Sequence, residues 1–476
     1  CESMHSARPD KSPAVLVVIG CSIATAALGG GGYWCWRMVA ARDERPGRSS
    51  ATDAVSPPSG VVTLIISGDT AGWIVPCGCT SNQSGGLPRR STLIAQRRQA
   101  GPVIIADAGG APGGSSLYQR ARFEAILDGE LAMGIAAHNL GEPEILLGVK
   151  YLREVAATKN VPFISANLRD IASGRLVFEP YRIVEAGGVR VLLIGVARVY
   201  IDIAGDVDWQ LDDPRNAVLA ALDDAAGKFD RAVVLAHLNE TDLRKLAAEL
   251  PEVDAVIGGP TGQSLAPTRM GQVLVASATN KGKFVVTLPL AADRKQIAPP
   301  AAVVELSDRF RDDPVQLDNV RAFRKELARR DFSAAETGLV AGSAKQVSKG
   351  FRIAGNEACR DCHAEETAIW NDSKHAQAWQ TLLAEESHVD PACQLCHTTG
   401  YGQPGGFESL AKSAARTAVG CESCHGPSQA HVDRPKQHTP FTAREQCTRC
   451  HDHENSPRFD FDTYWKKVAH GSRAQE

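Results

Sequence analysis

No strong charge of one sign runs through this chain: Lys and Arg number 52 against 55 Asp and Glu, a formal net charge of −3. The balance removes the basic excess of a nucleic-acid binder, and there is no acidic tail, so no nucleic-acid partner is expected. Cysteine is missing from the long middle of the chain, between residues 80 and 358, whereas eight of the 13 cysteines follow residue 358. Runs that read as strands show the opposite distribution and stop before about Phe351. A chain of 476 residues can bury two or three cores, and these two depletions divide it into unlike parts.

Charge is also absent from Ser12 to Trp36, where "PAVLVVIGCSIATAALGGGGYWCW" is mostly apolar. About 20 such residues suffice to cross a bilayer as a helix, so residues 1–40 are expected to hold a signal peptide or a membrane anchor. "VIGC", ending at Cys21, also resembles a lipoprotein cleavage box, and the four arginines after the segment oppose export under the positive-inside rule. Residues 41–59 are polar, rich in Pro, Ser and Gly, and read as a linker.

From residue 60 to 295 short β-branched runs alternate with helical stretches. "VVTLIIS" (61–67), "VIIA" (103–106), "VRVLLIGVA" (189–197), "AVVLAHL" (232–238), "DAVIGG" (254–259), "QVLVASA" (272–278) and "KFVVTLPL" (283–290) predict buried strands. "RRSTLIAQRRQ", "LGVKYLREVAATK" and "ETDLRKLAAEL" predict helices, and Gly187-Gly188 predicts a hairpin turn. The alternation indicates an α/β layered domain. Residues 296–350 read as a helical connector, with its helix after Pro314.

In residues 351–476 four Cys-x-x-Cys-His motifs follow one another: "CRDCH" (359–363), "CQLCH" (393–397), "CESCH" (421–425) and "CTRCH" (447–451). Each is the attachment pattern of a c-type haem. The pairs Cys359/Cys362, Cys393/Cys396, Cys421/Cys424 and Cys447/Cys450 would bond the porphyrin vinyl groups. His363, His397, His425 and His451 would be the proximal iron ligands. Four motifs with no unpaired cysteine nearby argue against zinc knuckles. Six of the remaining nine histidines also lie here: His375, His388, His431, His438, His453 and His470. They supply candidates for distal ligation, one of the controls on haem potential. At about 31 residues per haem the peptide has little core of its own. Four covalent haems c are expected to form the core, with Trp370, Trp379, Phe407 and Trp465 against their faces. The fold expected here is mainly helix and loop.

"CHAEETAIWNDSKHAQAW", "CQLCHTTGYGQPGGF", "VGCESCHGPSQAHV" and "FDFDTYWKKVAHG" resemble the tetrahaem cytochrome c family that takes electrons from hydroxylamine oxidation, over residues 355–472. The resemblance implies His375, His431 and His470 as distal ligands, each to a haem other than the nearest in sequence. For the fourth position His388, His438 and His453 all qualify, and His388 is the working choice. Some relatives leave one haem five-coordinate. The partners implied are redox proteins, either other cytochromes or a membrane oxidoreductase complex, on the periplasmic, extracytoplasmic face of a bacterial membrane.

Residues 60–295 resemble metallophosphoesterases of the 5′-nucleotidase type, through "FISANLRD", "YRIVEAGGVRVLLIGVA", "VVLAHL", "DAVIGG" and the order of elements. The resemblance implies an αββα fold and a two-metal hydrolytic site. The metal-binding motifs are eroded. Asp69 stands in the first, with Ala71 for its histidine. Gly110 replaces a bridging aspartate, and "GEPE" (141–144) puts Glu142 and Pro143 in place of the amide ligand and the catalytic histidine. His237 persists, and "GPTG" (259–262) has lost two histidines. Two of seven implied ligands remain, so a retained fold without hydrolysis is expected.

Cys77 and Cys79 in "PCGCTSNQSGGLPRR" follow Asp69 on the loop after the first strand. Three readings stay open: a remodelled site in which Asp69, Cys77, Cys79, Glu142 and His237 hold one additional, softer metal ion, a disulfide, or plain thiols. Pro88 suits the first turn of a helix, and Arg89 and Arg90 read as surface charges. The leading function is electron transfer. The rivals are a multihaem oxidoreductase acting on a small nitrogen or sulfur compound, and a hydrolase with a remodelled site.

Overall fold

The computed structural model describes residues 60–76, 83–203, 205–339, 351–453 and 455–470. The expected N-terminal anchor and linker, and Cys77 with Cys79, lie outside the described residues. Among the described residues no helix is long and apolar enough to cross a membrane.

Fourteen strands form the core of the larger region. In chain order they are β1 (Val61–Ser67), β2 (Val103–Asp107), β3 (Ala137–Asn139), β4 (Phe163–Ile164), β5 (Leu168–Asp170), β6 (Tyr181–Ala186) and β7 (Val189–Ala197). There follow β8 (Trp209–Leu211), β9 (Arg231–His237), β10 (Ala255–Gly259), β11 (Leu265–Met270), β12 (Val273–Ser277), β13 (Phe284–Ala291) and β14 (Ala302–Glu305). Seven helices accompany them: α1 (Leu87–Ala100), α2 (Leu117–Met133), α3 (Glu142–Ile145), α4 (Val149–Lys159), α5 (Pro214–Asp224), α6 (Glu240–Glu249) and α7 (Pro314–Arg330).

Two six-stranded sheets result, ordered β14-β13-β1-β2-β3-β4 and β11-β12-β10-β9-β7-β6. Their inner faces meet in an apolar layer that includes Leu64, Ile104, Leu193, Val233, Ile257 and Val286. Helices α1, α2, α4 and α7 cover the outer face of the first sheet, and α5 and α6 that of the second. This is the expected αββα sandwich. Burial on both faces explains why the central strands read as unbroken apolar runs. Gly187 and Gly188, at φ 60° and 78°, make the β6–β7 turn, a conformation that glycine adopts without steric cost.

The region after residue 295 differs from a connector. Strand β14 extends the edge of the first sheet by pairing with β13. Helix α7 starts at Pro314 as expected, capped by Asp313, but buries Val320, Phe323 and Leu327 in the same core as α1 and α2. An amphipathic helix with that stripe needs a partner surface, and the α/β domain supplies it.

Residues 351–470 are short helices and turns. Among the described residues past 351 the buried apolar side chains are Ile353, Trp379, Leu382, Tyr401 and Phe407. So small a core fits a region organised around a large prosthetic group. This region is built directly onto α2 and α7. Asp331 caps the helix at Leu410–Ser413, accepting from the amides of Leu410 and Ala411 and from the Ser409 hydroxyl. Arg324 donates to the carbonyl of Glu385, and Tyr118 donates from Oη to Asp390 Oδ1 at 2.5 Å.

Candidate functional site

The parallel strands β1, β2 and β3 of one sheet and β9, β10 and β12 of the other end at the same edge, where open α/β sheets hold their ligands. The loops after β1 and β2 are laced together by Asp69 N to Gly109 O (2.7 Å), Ala71 N to Gly110 O (2.8 Å) and Gly72 N to Ala111 O (2.8 Å). Asp69 and Ala71 both take left-handed backbone, φ 50° and 48°. Strain of that kind costs about 1–2 kcal/mol per non-glycine residue and gathers at functional edges.

The remaining candidate ligands are committed to the protein itself. Asp69 Oδ2 accepts from the Thr279 hydroxyl and from Asn280 N. The Glu142 carboxylate accepts from Tyr200 N. His237 Nδ1 accepts from Glu142 N at 3.2 Å, and burial, opposed by Glu144, Asp69 and Glu142, holds its pKa below the ordinary histidine value. The His237 ring occupies the space that larger residues at 110 and 141 would need. A Cβ on Gly141 would lie 2.4 Å from His237 Cδ2, and one on Gly110 would lie 3.0 Å from His237 Nε2. Among the described residues Asp69, Glu142 and His237 do not converge as a three-ligand group.

Another group does converge. Asp107, Glu130 and His138, all buried, offer ligand atoms within 4.8 Å of one another and form a possible metal site. A cation from the protein already stands among them. Arg90, only 1% exposed, donates to Ser67 Oγ (3.1 Å), Thr70 Oγ1 (2.8 Å) and Glu130 Oε1 (3.3 Å), and lies 3.8 Å from Asp107 Oδ2. Arg90 is therefore no surface charge, and neither is Arg89, whose largely buried side chain donates to the carbonyls of Gln83 and Leu306. His138 Nδ1 pairs with Glu130 Oε2 at 2.8 Å, and its Nε2 is 3.4 Å from Glu144 Oε1. Burial disfavours the imidazolium, yet Glu130, Glu144 and Asp107 outweigh it and raise the pKa of His138 well above normal. Asp107 is pushed up to about 7 by burial and by Glu130. Glu144 accepts from the amides of Gly110, Ala111 and Gly141. Its pKa falls below the usual carboxylate value although burial opposes this, because His138, His237 and the Ala111 amide stabilise the anion. The network links β1, α1, β2, α2, β3 and α3 beneath the eroded site.

Sequence reasoning missed Arg90, Glu130, His138 and Glu144. The available signal was the helical face of α1, where Leu87, Arg90, Leu93 and Ile94 share one buried stripe.

In the C-terminal region the four motifs approach in pairs: the thiols of Cys359 and Cys421 lie close enough to shift one another's pKa, as do those of Cys396 and Cys450. Histidines from distant segments face the motif histidines. Ring centres lie 6.2 Å apart for His363 and His431, 6.1 Å for His451 and His375, and 5.8 Å for His425 and His470. With metal–imidazole bonds of about 2 Å, two rings across one metal have centres about 6 Å apart, so these spacings fit an iron between each pair. Nδ1 is held on the outer side in several: His397 to Ala378 O (2.8 Å), His431 to Gln437 O (3.2 Å), His451 to Ser456 Oγ (2.9 Å) and His470 to Val468 O (2.8 Å). Such anchoring orients a ring and leaves Nε2 for a metal. Burial lowers the pKa of His375, His425 and His451, which keeps them in the neutral form that ligates.

The attachment thiols differ in exposure. Seven motif cysteines, Cys359, Cys393, Cys396, Cys421, Cys424, Cys447 and Cys450, are partly buried, whereas Cys362 is exposed. The reason is its place in the chain. It stands on the turn just past the helix Asn356–Arg360, which buries none of its own residues. Cys359, on that helix, faces Cys421, while Cys362 faces solvent.

His388 does not join the pattern of facing imidazoles. It packs edge-on against Trp379, ring centres 6.1 Å apart, and no ring contact joins it to His397 among the described residues. His438 stacks on His431 at 5.7 Å. Trp379 and Phe407 pack together, Trp465 lies against Phe441 and Phe461, and Trp370 donates from Nε1 to Val419 O.

An αββα sandwich of metallophosphoesterase-like fold is continuous with a cysteine- and histidine-rich helical region that carries the four Cys-x-x-Cys-His motifs. Residues 358–426 match the family model "Cytochrome c554 and c-prime". Cytochrome c-554 of Nitrosomonas europaea is 29% identical, over 25% of this chain and 69% of its own length. The 5′-nucleotidase of Vibrio cholerae is 32% identical, over 37% of this chain and 37% of its own length. The chain thus spans little more than a third of that relative. Among solved structures, the 5′-nucleotidase precursor of Thermus thermophilus has a TM-score of 0.50 at 19% identity, covering 75% of this chain and 73% of its own. A sulfate thiohydrolase of Thermus thermophilus has a TM-score of 0.51 at 18% identity, covering 58% and 62%. At such identities the likeness concerns the fold.

Proposed function

We propose that this protein is an exported four-haem cytochrome c that carries electrons between redox partners, with an αββα domain that serves docking rather than hydrolysis. The observation that supports it most is the set of three cross-segment imidazole pairs, each spaced for one iron. Haems are attached at Cys359/Cys362, Cys393/Cys396, Cys421/Cys424 and Cys447/Cys450. His363 with His431, His425 with His470, and His451 with His375 would each hold one haem iron. Haem c supplies one-electron chemistry, and the protein sets its potential through axial ligands, hydrogen bonding and burial.

The chain's own residues hold the spacing. The closeness of Cys359 to Cys421 and of Cys396 to Cys450 puts the first motif beside the third and the second beside the fourth, an arrangement that would set haems held there in two neighbouring pairs. The carbonyl of Ala378, the hydroxyl of Ser456 and the carbonyl of Val468 fix the ring orientations. The donor and acceptor are other cytochromes or a membrane oxidoreductase on the periplasmic side. The eroded edge supports a non-hydrolytic α/β domain, because Ala71, Gly110 and Pro143 offer no side chain that could ligate a metal.

A second reading rests on His397, which has no imidazole facing it among the described residues. An open position at that haem would admit a small nitrogen or sulfur compound.

The test is magnetic and optical spectroscopy of His470→Ala and His375→Ala. Each variant should convert one haem of four from low spin to high spin with haem content unchanged. Haem spin states unaltered from wild type in both variants would rule the assigned pairs out.

A further inference from the structure

We infer that Glu422 makes the haems of the first and third motifs the low-potential pair of the four, by holding one buried negative charge between their attachment sites. The inference rests on the reading above that both motifs carry haem.

Glu422 stands inside the motif "CESCH", on the helix Cys421–His425, and is 4% exposed. Its Oε1 accepts from the amides of Ala354 (2.9 Å) and Ser428 (2.8 Å), and its Oε2 from the amide of Gly355 (2.6 Å). All three partners are N–H donors and both oxygens only accept, which is the role of an ionised carboxylate. A glutamine here would turn its own NH2 toward one of those amides. Arg416, the cation at the same junction, pairs with Glu357 at 3.7 Å and donates to the carbonyl of Ala354. Among the described residues Glu422 itself forms no ion pair, so hydrogen bonds satisfy its charge without cancelling it. A charge held in this way acts on its surroundings through a low dielectric. Asp107, Glu130 and Glu144 are buried in the α/β domain, and Glu422 is the one buried acidic side chain past residue 351 among the described residues.

The position assigns the charge to two haems. Glu422 follows Cys421 directly and precedes His425 by three residues, about one helical turn. Through Gly355 it also reaches the first motif. Gly355 N donates to the carboxylate, and Gly355 O accepts from the Cys359 thiol at 3.8 Å. Asn356, the first residue of the helix Asn356–Arg360, closes the junction by accepting from Cys421 N at 3.0 Å. The carboxylate thus stands between the attachment sites of the first and third motifs. An electron added to an iron beside a fixed anion meets Coulomb repulsion, which favours the oxidised state. Among the described residues no buried acidic side chain serves the second and fourth motifs in the same way. An electron then passes downhill from the first or third iron, which is oxidised, to the second or fourth, which is reduced.

The test is a spectroelectrochemical titration of the full haem-loaded wild type and of Glu422→Gln, Glu422→Asp and Asn356→Ala. A unit charge about 12 Å from an iron, at an effective dielectric constant of about 20, changes an equilibrium about tenfold. Glu422→Gln should therefore raise the potentials of two haems of four, each by about tenfold in its redox equilibrium (about 59 mV for one electron). Glu422→Asp keeps the charge and should hold both near wild type. Asn356→Ala loosens the same junction without removing a charge and should do the same. Unmoved potentials in Glu422→Gln would overturn the proposal, as would an equal rise in Glu422→Asp or Asn356→Ala. If Glu422→Gln does not load four haems, wild type decides. The haem that turns high spin in His470→Ala, that of the third motif, should have one of the two lowest potentials in wild type, and a place among the two highest would overturn the proposal. A wild-type protein lacking haem on the first or third motif would remove the underlying reading instead, and counting haems on the cleaved peptides before the titration separates that failure from the others.

Discussion

Gly141→Ala tests whether the hydrolytic edge has been filled by the protein itself. An alanine Cβ at 141 would stand 2.4 Å from Cδ2 and 2.6 Å from Cγ of His237, and 2.9 Å from Gly110 N. Gly141 has φ −90°, which any residue adopts, so backbone strain is not at issue. What remains is overpacking against a buried ring, which costs about 1–3 kcal/mol. Gly110→Ala meets the same ring at 3.0 Å and also has φ +86°. It adds about 1–2 kcal/mol for a side chain in left-handed backbone. The assay is urea unfolding of wild type, Gly141→Ala, His237→Ala and the double variant, completing a double-mutant cycle. Removing the ring should relieve the Gly141→Ala penalty, with a coupling of roughly 1–3 kcal/mol. An unfolding midpoint for Gly141→Ala equal to wild type, with no coupling to His237, would refute the reasoning. The edge would then have room for larger residues, and a working metal site would be back in contention.

Three further outcomes are expected. Arg90→Met leaves Asp107 and Glu130 buried without their cation and should destabilise the protein by about 3–5 kcal/mol, read by calorimetry, while the four-haem spectrum stays intact. His138 has a raised folded pKa, so its stabilisation is complete below the ordinary value of 6.5 and is lost as pH rises through the folded value. Asp107, raised to about 7, acts in the same direction between about pH 4 and 7. Wild type should therefore lose stability on the alkaline side more steeply than His138→Gln, measured as thermal midpoint against pH. Carbon monoxide added to the reduced protein should shift the optical spectrum of one haem of four, the one on His397, and an unperturbed spectrum would mean that all four irons are closed.

Much of the α/β domain was legible in sequence because its central strands are buried on both faces. "VVTLIIS", "VRVLLIGVA" and the Gly187-Gly188 turn each carry their own local signal. The haem motifs were legible for a different reason: the attachment chemistry fixes residue type and spacing within five positions. Their burial was not legible, and the exposure of Cys362 beside the partly buried Cys359 shows why: it depends on which segment packs over each turn. What stayed hidden elsewhere also depends on distant partners. Arg89 and Arg90 are adjacent identical residues, yet α1 turns only Arg90 inward, toward Asp107 and Glu130 at 17 and 40 positions away. The helix α7 reads as a connector because the surface it completes comes from α1 and α2, about two hundred residues earlier, and the short strand β14 shows itself only by pairing with β13. Facing of His375 with His451, or of His363 with His431, is likewise set by the packing of separate short helices. The same holds for His388, which tertiary packing places on Trp379.

The central claim is that this chain is a four-electron carrier. A stepwise reductive titration of the purified, oxidised protein under anaerobic conditions, followed by haem absorbance, counts electrons directly. The account predicts four electron equivalents per chain, all registered as haem reduction. Fewer than four, or uptake that leaves the haem bands unchanged, would contradict it.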